Sequence, residues 1–167
     1  MDYAVRRART PDVRAIRALV DANAQSGRLL DKATVALYED VQEFWVAEAA
    51  YGEIVGCGAL HVMWEDLAEI RTLAVPAAHQ GSGVGNRIVL ALLGAAREVG
   101  VSRVFVLTFA VEFFRRHGFA EIHGQTTTPE VYAQLLRSYD EGVAEFLDLD
   151  RVKPNTLGNT RMLLRMR

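Results

Sequence analysis

The sequence predicts an α/β domain, and three observations carry that reading. Strand-like and helix-like patterns follow one another in the order β-α-α-β-β-β-α-β-α-β. An apolar run, Leu73-Ala74-Val75, enters a loop with glycines at 81, 83 and 85, and an amphipathic helix leaves it. The run Arg103-Val104-Phe105-Val106-Leu107-Thr108 is apolar without alternation, which suits a central strand buried on both faces. With 167 residues, half of them hydrophobic, the chain can bury a core of its own and is read as a single domain, 1–167.

The elements follow in order. Residues 3–8 read as a first strand. Thr10-Pro11-Asp12 supplies a cap, a proline at the first helical position and an acid in the first turn. Val13, Ile16, Leu19 and Val20 share one face of the helix that follows, which ends near Asn23 before the breaker Ser26-Gly27. Leu29-Leu30-Asp31-Lys32 leads into a second helix over 33–42, with Val35, Leu37, Tyr38 and Val41 as packing residues. A strand over 44–48, a turn at Tyr51-Gly52-Glu53 and a long strand over 54–64 read as a hairpin. Gly56 and Gly58 in that long strand predict a twist or bulge. Glu65-Asp66 turns the chain into a strand over 67–75.

The helix after the glycine loop runs to about Val99, with Ile88, Leu92, Ala95, Ala96 and Val99 inward and Gly100 ending it. Beyond the strand at 103–108 come a short helix over 112–117, a strand starting at 119 and a helix from Pro129 to about Leu136. The weakly alternating tail, Thr160 to Met166, is expected to close the sheet as a last strand, giving about six to seven strands in all.

Composition narrows the function. The net charge of -2 gives no nucleic-acid footprint, and all basic residues but Lys32 and Lys153 are arginine. No apolar run reaches the roughly 18 residues of a membrane span, and no signal peptide opens the chain, so a cytoplasmic protein is expected. The single cysteine, Cys57, excludes an internal disulfide and reads as a small buried hydrophobe. His61, His79, His117 and His123 lack ligand-like spacing, so no metal site is expected.

The glycine loop is the informative stretch. Small residues let the main chain turn tightly and present bare N–H groups, and the next helix adds its unpaired donors and the positive end of its dipole. That is an anion cradle, most often for phosphate. Asn86 stands where a dinucleotide-binding fingerprint needs its third glycine, and a P-loop would need a Gly-Lys-Ser/Thr ending that is absent. Gln80-x-x-Gly83-x-Gly85, preceded by a strand and Pro76, resembles instead the acyl-CoA pyrophosphate loop of the GNAT N-acetyltransferase superfamily, whose pattern is Arg/Gln-x-x-Gly-x-Gly/Ala. The element order and the segment Phe114-x-x-x-Gly118-Phe119 fit the same superfamily.

That resemblance implies the GNAT fold: a mixed, mostly antiparallel sheet flanked by helices, its fourth and fifth strands splayed to receive acyl-CoA. It implies acetyl-CoA as co-substrate, with main chain at Leu73 and Val75 bonding the pantetheine arm and thioester, and residues Gln80, Gly81, Ser82, Gly83, Val84 and Gly85 meeting the pyrophosphate. An N–H aimed at the thioester carbonyl would stabilise the oxyanion formed as an amine attacks. One departure concerns the leaving group. Many members carry a Tyr in Leu-Tyr-x-x-x-Gly-Phe, and Phe114 stands there. Phe cannot donate a proton, yet a thiol with a pKa of ~8.5 can leave as thiolate near neutral pH.

Three separated segments narrow the resemblance. Leu29-Leu30-Asp31-Lys32, the run Ala68 to Val75, and Gly158-Asn159-Thr160-Arg161-Met162-Leu163 look like pieces of the acetyltransferase domain of N-acetylglutamate synthases, which open arginine biosynthesis. In that family a basic group at the Lys32 position and a hydroxyl at the Thr160 position hold the substrate's carboxylates, helped by main chain near Leu30 and Thr72. A carboxylate at the Glu69 position and a hydroxyl at the Thr108 position are thought to drain the amine proton through water. Taken alone, Glu69 would be a paired or solvated acid, Lys32 a loop charge, and Thr108 and Thr160 ordinary β-formers. Only their coincidence with the family pattern raises them.

Two differences bear on the substrate. Family members often have Arg where Gly158 stands, and their usual amino-acid-kinase domain has no counterpart in this sequence. The resemblance implies acetyl transfer to the α-amine of L-glutamate, with L-glutamine as a competitor. The alternatives are a GNAT enzyme for another small amine or a protein N-terminus, or a non-catalytic acyl-CoA-binding module. The expected partner is a small amino acid, with neither nucleic acid nor membrane, and a homodimer is compatible with the sequence.

Overall fold

A computed structural model describes residues 2–25, 33–153 and 157–167. Seven strands form one sheet: β1 Tyr3–Arg7, β2 Phe44–Ala49, β3 Ile54–Trp64, β4 Leu67–Ala74, β5 Arg103–Thr108, β6 Ala120–Glu121 and β7 Thr160–Arg165, in the order β1-β2-β3-β4-β5-β7-β6. β4 and β5 run parallel, while β1–β2, β2–β3, β5–β7 and β6–β7 are antiparallel. The helices are α1 Val13–Gln25, α2 Thr34–Glu39, α3 Val84–Val99, α4 Val111–Arg116, α5 Pro129–Leu135 and α6 Glu141–Phe146. The chain divides into two compact units, one of Met1–His61 with Ile70–Val99, the other of Val62–Glu69 with Gly100–Arg167.

In the first unit, Val13, Ile16, Leu19 and Val20 of α1 pack with Leu37, Phe44, Val46, Cys57, Ala59 and Ala74. Arg9, not Thr10, is the residue that precedes the first helical turn. The Asp12 carboxylate accepts the Arg9 N–H at 2.7 Å, and Arg6 grips the same carboxylate at 2.8 and 3.0 Å while its Nε reaches Glu48 at 2.6 Å. Those hydrogen bonds, Arg6 foremost, hold the Asp12 carboxyl below the usual carboxylate range. A depressed folded-state pKa stabilises the fold above the unfolded value and loses that contribution as pH falls through it. Asp12→Asn should therefore melt below the parent at pH 7, and the gap should close in melts taken below about pH 4.

The glycines of β3 have a second use beside the bulge expected of them. A Cβ on Gly56 would stand 2.8 Å from both Ile88 Cδ1 and Val84 Cγ1, and one on Gly58 would stand 2.9 Å from Ile88 Cγ2. The expected irregularity is also there: Ala47 pairs with Gly56 and Glu48 with Ile54, so Val55, beside Gly56, is the extra residue on β3. α3 thus lies directly on bare strand. Gly56→Ala should cost about 1–3 kcal/mol through overpacking, read as a lower denaturant midpoint at constant slope.

Packing corrects several sequence expectations. α2 stops at Glu39, and a 3-10 turn over Val41–Glu43 follows, so the helix is shorter than 33–42. Leu37 is buried and Val41 partly so, but Val35 and Tyr38 face solvent. Val99 is 57% exposed, while Val84, Val89 and Leu93 join Ile88 and Leu92 inside. A last turn lies at the rim of the core, where an apolar residue need not be covered.

The second unit is built on Leu67, Phe105, Leu135, Val143, Phe146, Leu147 and Leu163, with Phe105 and Phe146 edge to face at 5.2 Å. α6, which supplies Phe146, was not expected from the sequence. Asp140 caps it, its carboxylate accepting the Val143 N–H at 3.1 Å. The tail does form a strand, but β7 lies inside the sheet, between β5 and β6.

Candidate active site

The first unit contributes the anion cradle. β4 ends at Ala74, Val75 and Pro76 lead out, and a 3-10 turn over Ala77–His79 delivers Gln80. Gln80 Nε2 donates to Val75 O at 3.3 Å, tying the loop back to the strand that enters it. Gly81 and Gly83 take φ of 80° and 88°, conformations that cost any L side chain, whereas Gly85 already lies within α3. The N–H groups of Gln80 and Ser82 bond Ala77 O and His79 O inside the loop. The N–H groups of the predicted set not bonded inside the loop are therefore those of Gly81, Gly83, Val84 and Gly85.

Upstream, β4 carries a strained residue. Thr72 has φ of 58°, rare for a β-branched side chain and worth about 1–3 kcal/mol of strain. Thr72 and Ala74 are buried, and Arg71 and Leu73 half-buried. Nothing in the local sequence announces the strain, because no glycine marks the place. The Cys57 thiol points at Thr72 O at 3.5 Å, and complete burial pushes the thiol up to about 12. Cys57 is packing, and a poor nucleophile.

The second unit gathers three of the remaining residues. β4 and β5 pair in register only from Leu67↔Arg103 to Glu69↔Phe105, although both strands run on. Glu69 sits at the last of these pairs and is only 2% exposed. Thr108 closes β5 opposite Thr160, which opens β7, so two hydroxyl-bearing residues face each other across an antiparallel pair. Thr108 Oγ1 accepts the Ala110 N–H at 2.8 Å, which leaves its own proton free to be donated elsewhere. Leu30 and Lys32 lie outside the described residues.

Two further positions matter here. Phe114 is 3% exposed and meets Phe119 edge to face at 5.2 Å, so the residue at the family's Tyr position belongs to the hydrophobic core. Phe114→Tyr is expected to give little or no gain in turnover; a large gain in a steady-state assay would mean that leaving-group protonation limits the rate. Gly158 takes φ of 82°, and a Cβ there would stand 3.1 Å from the Phe109 ring. The departure at Gly158 was legible in the sequence, but its partner Phe109 was not, since a ring against a distant glycine leaves no periodic signal. Among the described residues no cluster of His, Cys, Asp or Glu could hold a metal, and no helix is long and apolar enough to cross a membrane.

A glycine loop at a helix head, a parallel β4–β5 pair that ends early and this strand order define a class, and comparison with known proteins bears it out. Residues 23–119 match the Acetyltransferase (GNAT) family, and the chain belongs to that family. It is 63% identical over 163 residues to an amino-acid acetyltransferase of Mycobacterium tuberculosis, covering 96% of this chain and 92% of that one. A crystal structure from Mycobacterium tuberculosis, in complex with CoA and a second molecule, superposes with a TM-score of 0.95 at 61% identity over 98% of this chain and 99% of that one. The N-acetylglutamate synthase of Neisseria gonorrhoeae, solved with coenzyme A and N-acetyl-glutamate, shares the fold at 24% identity and a TM-score of 0.78, covering all of this chain and 36% of that one.

Proposed function

We propose that this acetyl-CoA-dependent amino-acid N-acetyltransferase transfers acetyl to the α-amine of L-glutamate, with L-glutamine as the competing acceptor, at the entry to arginine biosynthesis. The observation that carries the reading is the 63% identity to an amino-acid acetyltransferase over nearly the whole chain. Residues 1–167 act as one catalytic domain. The acetyl group passes directly from thioester to amine in a ternary complex, because Cys57 is buried with its thiol held protonated. Main chain at Leu73 and Val75 bonds the pantetheine arm and thioester, and Gly81, Gly83, Val84 and Gly85 donate to the pyrophosphate. Glu69, through water, takes the proton that the α-ammonium must lose before it attacks, with Thr108 in the same relay. Lys32 and Thr160 hold carboxylate oxygens of the amino acid, with main chain at Leu30 and Thr72 beside them. No metal takes part.

Thiol release from acetyl-CoA, measured across a panel of amino acids, amines and N-terminal peptides, tests this. Turnover should be greatest with glutamate or glutamine. Preference for an unrelated amine would overturn the substrate, and no release with any acceptor would leave only acyl-CoA binding. The cradle has its own test. Gly83→Val forces a branched side chain to φ 88°, so the Kd for acetyl-CoA should rise at least tenfold, about 1.4 kcal/mol, in a folded variant. Unchanged affinity would show that the loop does not hold the coenzyme.

A further inference from the structure

The glycine loop has a neighbour that its motif does not include. Tyr3, at the start of β1, brings its hydroxyl to 3.5 Å from where a Cβ on Gly83 would stand. The Arg87 guanidinium lies over the Tyr3 ring, its central carbon 4.8 Å from the centroid, and Arg87 Nη1 donates to Tyr3 O at 3.2 Å. The Arg87 N–H closes the first helical turn onto Gly83 O at 3.1 Å, so the two residues are one turn apart on the face turned toward Tyr3.

Arg6 is matched by Asp12 and Glu48, and Arg7 lies 3.9 Å from Glu98. Arg87 is exposed and has a ring and a carbonyl for partners, with no ion pair among the described residues. A guanidinium has five donors, and a bond to one carbonyl leaves most of them unused. Stacking and that bond fix the direction of a side chain that would otherwise sample many rotamers. The loop itself offers only neutral N–H dipoles, and the sequence from Pro76 to Leu93 contains no other lysine or arginine.

We propose that Arg87, pre-set by Tyr3, binds a phosphate of the coenzyme's nucleotide end and supplies the positive charge that the glycine loop lacks. This rests on the acetyl-CoA reading above. The same chemistry serves the 3′-phosphate and the pyrophosphate, and truncated donors tell them apart. Acetyl-CoA carries both, dephospho-acetyl-CoA lacks the 3′-phosphate, and acetyl-pantetheine lacks every nucleotide phosphate.

The test compares the parent with Arg87→Gln and Tyr3→Leu. Arg87→Gln should raise the ratio of the acetyl-CoA KM to the acetyl-pantetheine KM about tenfold, as expected for a lost charge-assisted bond. If dephospho-acetyl-CoA abolishes the difference between parent and variant, the 3′-phosphate is the partner; if the difference survives, the pyrophosphate is. Tyr3→Leu should move the ratio in the same direction by a smaller factor, and the double variant should be no worse than Arg87→Gln. Calorimetric titration with CoA reads Kd without turnover, so it stands even if the acceptor has been misassigned. There Arg87→Gln should weaken binding and flatten its dependence on salt. An unchanged CoA Kd in the folded variant, or an equal rise in KM for acetyl-pantetheine, overturns the proposal.

Discussion

Glu69→Gln is expected to lower turnover by about 10²-fold or more while leaving acetyl-CoA affinity little changed. The substitution is close to isosteric, which matters at a place only 2% exposed, where a smaller residue would open a cavity and confuse stability with chemistry. It exchanges one carboxylate oxygen for an amide nitrogen and so removes the atom that can take a proton. If Glu69 is the base, kcat/KM in the parent falls toward acid pH with the carboxylate's titration, and that limb is lost in the variant. Thermal melts establish that the variant is folded. A folded Glu69→Gln protein with the parent's rate and pH profile would exclude Glu69 from the mechanism.

The second large effect concerns the acceptor. Lys32→Met keeps the aliphatic stem and deletes the charge. A charge-assisted bond to a carboxylate contributes ~1.5–3 kcal/mol, so the amino-acid KM should rise roughly ten- to a hundredfold and the acetyl-CoA KM should hold. Comparing acceptors in this variant locates the contact. Loss with both glutamate and glutamine assigns Lys32 to the α-carboxylate they share, and loss with glutamate alone assigns it to the side chain. Normal acetylation of both would make Lys32 a loop charge and withdraw the strongest single residue from the case for a glutamate-type substrate.

Much of this fold is written in local pattern. β3, β5 and the C-terminal end of α3 fall where period, turn residues and Gly100 put them, because each is long and strongly apolar. α6 escaped because it is a six-residue helix whose buried side chains find their partners only in the folded second unit. Gly56 and Gly58 were visible as glycines, but their purpose was not, since the space they vacate belongs to Ile88 and Val84, far along the chain. The candidate site divides in the same way. The cradle is contiguous in sequence and could be read outright. Thr108 and Thr160 meet only through strand register, and they could be singled out beforehand because a family pattern marked them. Tyr3 and Arg87 carried no such mark, being a strand residue and a helix residue 84 positions apart.

The seating of α3 on bare β3 has a consequence for how fast and how cheaply the coenzyme is captured. A helix pressed against backbone, with buried Ile88 and Val84 filling the grooves left by two glycines, has almost no freedom to slide or tilt. Its first-turn N–H groups are therefore aimed before any ligand arrives, and association need not wait for them to be ordered. CoA should accordingly bind with a rate constant that varies little with temperature, and amide exchange in the body of α3, beyond its first turn, should already be slow in the empty protein.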